Sequence, residues 1–212
     1  MKPLARVLAS KAIWKLSGIS YATAVLATRG RLEGWREYLR ESRAQMDRLP
    51  VDVHDKRVME FGCGLGGNLL AVSENIRYGV GVDVNRGFLR IAAQLCRKAG
   101  VRNLSFIWYD GKTLPPLGLF ELVFSIGVFE RLPKEQVRSY VEHLKKVLVP
   151  EGKLVLYFLT DSAKNSDFSR RLGPESYVYW SEDQLRGLFG DCHMRVEATH
   201  DWSPYSVIYV VQ

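Results

Sequence analysis

Cysteine is scarce in this chain: its 212 residues contain three, at 63, 96 and 192, in no paired or metal-ligand spacing. That excludes a disulfide framework and fits a reducing compartment, so the expected location is cytoplasmic. There are four histidines, and no His/Cys/Asp cluster has the spacing of a metal site, so no metal is expected. No run of 18 or more apolar residues exists, which excludes a membrane-spanning helix. Internal repeats and low-complexity tracts are also absent. With 47% hydrophobic and 25% charged residues, the chain has the composition of one globular domain with a full core plus an extension.

Acidic charge is missing from the beginning. Residues 1–49 hold ten Lys/Arg and four Asp/Glu, and the first acid, Glu33, follows six bases. The net charge of +7 is therefore almost all in this segment, and residues 51–212 are nearly neutral. Three readings stay open for residues 1–50: a helical cap over the active site, an organelle-targeting segment, or a peripheral contact of residues 1–31 with anionic membrane. Lys11 and Lys15 share a helix side with Leu4, Val7 and Leu8, so the apolar stripe is poorly separated. After Gly30 the pattern is cleaner. Trp35, Tyr38, Leu39, Ser42, Met46 and Leu49 recur at helical spacing opposite Arg36, Arg40 and Arg43, up to Pro50, and read as a helix packed on the domain, the alternative being an aromatic contact to cofactor or substrate.

The most informative stretch is Val58-Met-Glu-Phe-Gly-Cys-Gly-Leu-Gly-Gly67, an apolar run that breaks into glycines behind Glu60. A second apolar run, Tyr78 to Val82, ends at Asp83, seventeen residues past Gly66. Strand, glycine turn, helix, and a strand ending in a carboxylate make a nucleoside-binding half-site. Glycine at 62, 64 and 66 lets backbone approach a ligand, and the acid at the next strand tip can accept both ribose hydroxyls. Gly62, Gly64 and Gly67 also satisfy G-x-G-x-x-G, so this loop alone leaves NAD open.

Four ordered stretches resemble the class I S-adenosylmethionine-dependent methyltransferases. They are Glu60-Phe-Gly-Cys-Gly-Leu-Gly66, Gly81-Val-Asp83-Val-Asn85, Trp108-Tyr-Asp110-Gly111 with Leu114-Pro115, and Phe120 to Pro133 followed by a helix and Pro150-Glu-Gly-Lys-Leu-Val-Leu-Tyr157. The resemblance runs from about Arg57 to the C-terminus. It implies a Rossmann-like α/β fold: a seven-stranded, mostly parallel sheet with a C-terminal antiparallel hairpin, here with an N-terminal helical extension. It implies S-adenosylmethionine as cofactor, held by Glu60, Gly62, Cys63, Gly64, Gly66, Asp83, Val84, Asp110, Gly111 and Ser125. Asp83 would serve the ribose, Asp110 and the next backbone N–H the adenine, and the first helix-turn N–H groups the methionyl carboxylate. Arginine stands at 131 where many relatives have histidine, which removes the warrant for a base or metal role taken from them. No Asn-Pro-Pro-Tyr or Asp-Pro-Pro-Tyr clamp for a flipped base follows the fourth strand.

The remaining pattern predicts strands at 57–61, 78–83, 104–108, 122–126 and 153–160, the last entered by a turn at Pro150-Glu-Gly. Helices are expected at about 68–75, 86–99 (closed by Gly100), 134–148 and 181–189, with Ser181 as N-cap. Met194 to His200 and Ser206 to Val211 read as the closing hairpin, joined by Asp201-Trp-Ser-Pro-Tyr205.

Open α/β sheets bind ligands at the carboxyl ends of strands, where Glu130, Arg131 and Asp161 stand; no catalytic motif identifies the base, so the catalytic residue is unknown, each of the three reads first as an exposed loop charge or helix-cap partner, and Glu130 is the one candidate. The long segment Asp161 to Trp180 reads as a lid, with Arg131, Tyr177, Tyr179 and Trp180 as candidate substrate contacts and Arg170 and Arg171 as anion partners. For Tyr179 and Trp180 the alternative is packing of the last helix. His143 reads as surface, and His193 and His200 as structural. The expected function is methyl transfer to oxygen or nitrogen of a small-molecule acceptor, with no dedicated nucleic-acid module. The alternatives are a nucleic-acid or protein methyltransferase gripping a polyanion through the basic extension, and a cofactor-binding protein without chemistry.

Overall fold

A computed structural model describes residues 31–164 and 177–212. The basic stripe before residue 31, with its proposed membrane contact, and Arg170 and Arg171 lie outside the described residues. The chain divides into two compact units, residues 1–113 and 114–212. None of the described helices is long and apolar enough to cross a membrane.

The first unit runs α1 (Arg31–Met46), β1 (Arg57–Phe61), α2 (Gly67–Val72), β2 (Tyr78–Asp83), α3 (Arg86–Lys98) and β3 (Leu104–Trp108). β2 is the middle strand, parallel to both neighbours, with Glu60 opposite Gly81 and Gly81 opposite Phe106. Val58, Met59, Phe61, Val80 and Val82 are buried, as the unbroken apolar runs predict for parallel strands. A Cβ on Gly81 would come within 2.7 Å of Cys63 Sγ and 2.8 Å of Phe106, so this glycine makes room for the cysteine. The Asn85 side chain caps α3 by accepting from the Gly87 and Phe88 amides at 2.9 and 3.2 Å. Gly100, at φ 72°, follows its end. Helix α2 stops three residues short of the expected Asn75, because the Asn75 and Ile76 amides turn back to the Val72 carbonyl and bury Ile76.

Helix α1 packs on α2, and the contact explains a glycine. A Cβ on Gly67 would meet the Tyr38 ring at 2.5 Å and also the Ser42 hydroxyl. Tyr38 is further wedged against Leu65, Phe88 and Ile91, with its ring 5.3 Å from that of Trp35. Gly67, the third glycine of the dinucleotide pattern, is therefore required by helix docking, and no pyrophosphate need be invoked for it.

The second unit runs β4 (Phe120–Ser125), a 3₁₀ turn (Phe129–Arg131), α4 (Lys134–Lys145), β5 (Leu148–Thr160), a second 3₁₀ turn (Asp161–Ala163), β6 (Tyr179–Trp180), α5 (Glu182–Asp191), β7 (Val196–Ser203) and β8 (Ser206–Val211). β5 is parallel to β4 and β6 and antiparallel to β8, which pairs antiparallel with β7. Strands in both units are mostly parallel and the C-terminal pair is antiparallel, the α/β class expected. Three details differ from the sequence expectation. The described residues form eight strands and not seven, because the two-residue β6 pairs with the end of β5 inside the expected lid. α4 ends at Lys145, and Pro150-Glu-Gly lies within β5, where an irregular register between Phe120 and Leu122 absorbs it. Gly152 is needed there, since a Cβ would stand 2.9 Å from the Phe120 carbonyl oxygen. Finally, β7 continues through Asp201 to Ser203, which shortens the hairpin turn.

Phe158 is the hub of this core, with Phe129, Trp180, Phe189 and Tyr209 at centroid distances of 5.6, 5.7, 6.2 and 6.4 Å. Ser181 caps α5 in a full capping box with Gln184.

Gly67→Ala is expected to push Tyr38 and Ser42 apart and destabilise the fold by about 1–3 kcal/mol, the usual effect of overpacking. Urea denaturation checks this; unchanged stability would show that α1 does not dock as described.

Candidate active site

The glycine loop of the first unit is tied to the end of β2. The Gly62 and Cys63 amides both donate to the Val82 carbonyl, at 2.8 and 3.0 Å. One oxygen of Asp83, Oδ2, accepts from the Gly64 amide at 2.9 Å, and the other, Oδ1, from the Asn85 amide at 2.8 Å. Asp83 is 9% exposed. Burial raises its carboxyl above the ordinary range, opposed by the N–H groups of Asn85 and Gly64. Each carboxylate oxygen can accept a second bond, so this side chain can hold the loop and still receive two ligand hydroxyls.

Gly64 and Gly66 both have positive φ, 53° and 74°, but serve different ends. A Cβ on Gly66 would strike Phe106 at 2.6 Å and Ala92 at 3.2 Å, so Gly66 is a packing glycine. A Cβ on Gly64 would meet nothing within 4 Å. Gly64 is thus the place where a ligand can come against bare backbone.

Glu60 lies behind this loop, 2% exposed. Its Oε1 accepts from Asn68 Nδ2 at 2.8 Å, while Oε2 is buried without a hydrogen-bond partner. Burial pushes its carboxyl up to about 8, and Asp83 adds to the shift while Asn68 opposes it. A buried acid with one unsatisfied oxygen suits a ligand bearing a cationic or hydrogen-bond-donating group. At neutral pH the carboxyl holds its proton, and a cationic group brought beside it would favour the ionised form and draw that proton off. Burial also raises the Cys63 thiol well above its usual range, so Cys63 is a packing residue whose backbone shapes the loop.

At the ends of β2 and β3, Val84 is 54% exposed, and a Cβ on Gly111 would lie 3.5 Å from its Cγ1. Trp108 Nε1 donates to the Val84 carbonyl at 2.9 Å, and the Arg86 guanidinium stands 3.9 Å over the Trp108 ring. Asp110 is exposed and accepts through Oδ1 from the Lys112 and Thr113 amides, which hold its carboxyl below the usual range. An apolar side chain, a bare glycine and a carboxylate lie side by side, as a flat nitrogenous ring requires.

Sequence reasoning did not assign two residues at this site. Tyr38 Oη accepts from the Gly67 amide at 3.2 Å, and Asn68 orients Glu60. Tyr38 belongs to the aromatic stripe of α1, but no local pattern announces its partner, which is 29 residues away.

The other predicted residues lie in the second unit. Ser125 is buried at the end of β4. Glu130 is 4% exposed; its Oε2 has no hydrogen-bond partner, and burial pushes its carboxyl up to about 7 despite Arg131. Arg131 Nε lies 3.5 Å from Glu130 Oε1, and the guanidinium stands 5.1 Å over the Tyr177 ring. Tyr157, mid-strand with no sequence signal, joins this group: it is bonded to Ser206, near Glu130 and Tyr177, and pushed up to about 12 by burial. Glu130, Arg131 and Tyr177 are thus brought together. Tyr179 and Trp180 are buried, the former with Leu159 and Ala163, the latter against Phe158. Their placement matches the packing alternative. Among the described residues no group of His, Cys, Asp and Glu could hold a metal ion.

Residues 58–152 match the sequence model of a methyltransferase domain family. Thiocyanate methyltransferase 1 of Brassica oleracea is 29% identical over 108 residues, covering 50% of this chain and 48% of that protein. The chain thus spans about half the length of the curated relatives it matches. Among solved structures, magnesium protoporphyrin IX methyltransferase from Synechocystis PCC 6803, with bound SAH, shares the fold at TM-score 0.72 and 17% identity, over 95% of this chain and 99% of that one. The mitomycin 7-O-methyltransferase MmcR does so at TM-score 0.74 and 13% identity, over 94% and 60%.

The raised carboxyl of Glu60 carries a pH signature. The folded protein holds this proton up to about 8, the unfolded chain only to its ordinary 4.5. Stability from this group is therefore complete below the lower value and lost as pH rises through the upper one. Glu60→Gln should remove a slope of up to about 1.4 kcal/mol per pH unit across that window. Denaturation of both proteins at several pH values tests this; identical slopes would mean that Glu60 is already ionised when folded.

Proposed function

We propose that this chain, a member of the class I S-adenosylmethionine-dependent methyltransferase superfamily, methylates an oxygen or nitrogen of a small-molecule acceptor. One observation carries the reading: Asp83 ties down the glycine loop, with bare Gly64 in front and the unsatisfied acid Glu60 behind. That arrangement suits a nucleoside with a cationic amino-acid end, and the third glycine that favoured NAD is taken up by α1. S-adenosylmethionine supplies an activated methyl group on sulfonium when bound. Asp83 offers acceptors for ribose hydroxyls, Val84 and Gly111 a surface for the base with Asp110 at its edge, and Glu60 a carboxyl for the amino-acid end. The named acceptors of the relatives, thiocyanate, magnesium protoporphyrin IX and mitomycin, are small molecules, which supports a small acceptor here.

In-line displacement at carbon depends mainly on alignment, which can contribute ~7–11 kcal/mol. A base adds about 10²–10⁴-fold where the acceptor must lose a proton. We assign that role to Glu130. Its carboxyl titrates at about 7 and has a buried oxygen without a partner, and Arg131 and Tyr177 beside it can bind a polar or flat acceptor.

Calorimetry should show S-adenosylhomocysteine binding and no NAD binding. Asp83→Ala should weaken the former by roughly 1–3 kcal/mol, while Glu121→Ala leaves it nearly unchanged. Tight NAD binding without a response to S-adenosylhomocysteine would overturn the cofactor assignment. With methyl-labelled cofactor and a metabolite extract, label should pass to a small molecule. Glu130→Gln should slow that transfer by about 10²–10⁴-fold at unchanged cofactor affinity; full transfer by this variant would remove Glu130 as the base.

A further inference from the structure

We infer that the outer face of helix α3 is a docking surface for anionic lipid headgroups, which would hold the protein at a membrane surface through its first unit. The observation starts in the sequence. Between Asp83 and Asp110 there is no acidic residue, while Arg86, Arg90, Arg97, Lys98 and Arg102 are all basic. The unit that contains them, residues 1–113, holds 19 Lys/Arg against 10 Asp/Glu, a net of +9. Residues 114–212 hold 11 against 13, a net of −2. In the structure all five cations are exposed. At 3.6 residues per turn, Arg86, Arg90 and Arg97 fall within about 40° of arc and make a row about 16 Å long. The row lies across the helix from the buried Phe88, Ala92 and Cys96.

The electrostatics of an ordinary surface helix does not account for this row. Helices α1, α4 and α5 pair arginine with acid: Arg40 with Glu37, Arg138 with Glu142 and Asp191, Arg186 with Glu182. The side chains of Arg90, Arg97, Lys98 and Arg102 take part in no ion pair or hydrogen bond among the described residues. The helix dipole favours acids in the first turn of α3, yet there are none, and Arg86 stands there instead. Like charges four residues apart, as at Arg86 and Arg90, weaken a helix, a loss that an external anion would recover. The choice of lipid follows from how the cations are held. An arginine that reads a fixed phosphate or base is positioned by supporting hydrogen bonds, which these lack. Headgroups in a fluid bilayer move to meet unanchored cations. An indole also adjoins the row: Trp108 is 41% exposed, its N–H is donated to the Val84 carbonyl, and the Arg86 guanidinium covers one ring face. A tryptophan beside arginines is the composition of a membrane-interface contact, and one of the faces on which a nucleic-acid base would stack is already taken.

Flotation of the full chain with vesicles tests this. Vesicles of phosphatidylcholine with phosphatidylserine should carry the protein, phosphatidylcholine alone should not, and added salt should weaken the binding. Arg90→Gln/Arg97→Gln/Lys98→Gln should weaken it by roughly a hundredfold, at about fivefold per cation, whereas Arg138→Gln/Arg186→Gln in the second unit should change it little. A second measurement leaves every cation in place. The three cysteines are buried, so a fluorophore attached through Gln94→Cys, an exposed position beside the row, labels α3 alone. Anionic vesicles should shield it from an aqueous quencher. Absence of binding to anionic vesicles would overturn the inference. So would undiminished binding by the triple variant or a fully quenched probe on bound protein, since each puts the contact elsewhere, such as the basic residues before residue 31. Binding to a duplex oligonucleotide but not to vesicles would overturn it too, and would give the row to nucleic acid.

Discussion

One buried carboxylate holds the first unit in working order. Asp83 joins the glycine loop to the turn that starts α3, one oxygen on the Gly64 amide and the other on the Asn85 amide. Asn85 then caps α3 with its own side chain, so strand end, loop and helix start form one chain of hydrogen bonds. Bonds to a charged group are worth about 1.5–3 kcal/mol each. Burial still wins at Asp83, whose carboxyl sits above its ordinary range. A carboxylate so placed is incompletely solvated by the protein, and ligand hydroxyls would complete its shell. The site is therefore rigid before binding and improved by it, the condition under which little ordering entropy is lost on association.

Glu60 extends the same logic to charge. Burial, with Asp83 nearby, keeps Glu60 protonated up to about 8 and leaves one of its oxygens without a partner, so a cationic group of a ligand would both ionise and satisfy it. Local glycine spacing leaves a methyltransferase cofactor and a dinucleotide both possible. The burial of Glu60 and the docking of α1 on Gly67 separate the two, because each gives a residue of the loop a role that a pyrophosphate site would not require.

The second unit obeys a different constraint. Glu130 is buried beside Arg131, yet the guanidinium, 3.5 Å away and more exposed, does not bring the carboxyl down to its ordinary range. Desolvation outweighs a partly screened ion pair. A carboxyl held near 7 by this balance can carry or release a proton near neutral pH, which a fully paired structural acid does not do. Packing against Leu159, Ala163 and Tyr179 brings Tyr157 and Tyr177 to the same place, although no short-range pattern links these residues.

What was legible in the sequence was local. The apolar runs, the glycines at 62, 64 and 66, the acid ending the second strand and the Ser181 cap all act through neighbouring residues, and the structure has them where the pattern put them, while the closing hairpin forms with β7 shifted to Val196–Ser203. For Tyr179 and Trp180 the sequence left substrate contact and packing both open, because a two-residue strand is recognised only by its partner, β5. Nor was the inclusion of Pro150-Glu-Gly in β5, which depends on a register irregularity against β4. The meaning of Gly67 and Tyr38 was hidden for the same reason. Backbone preference and periodicity are written in adjacent side chains, whereas the space a glycine leaves, and the group that fills it, is decided by which distant element packs there.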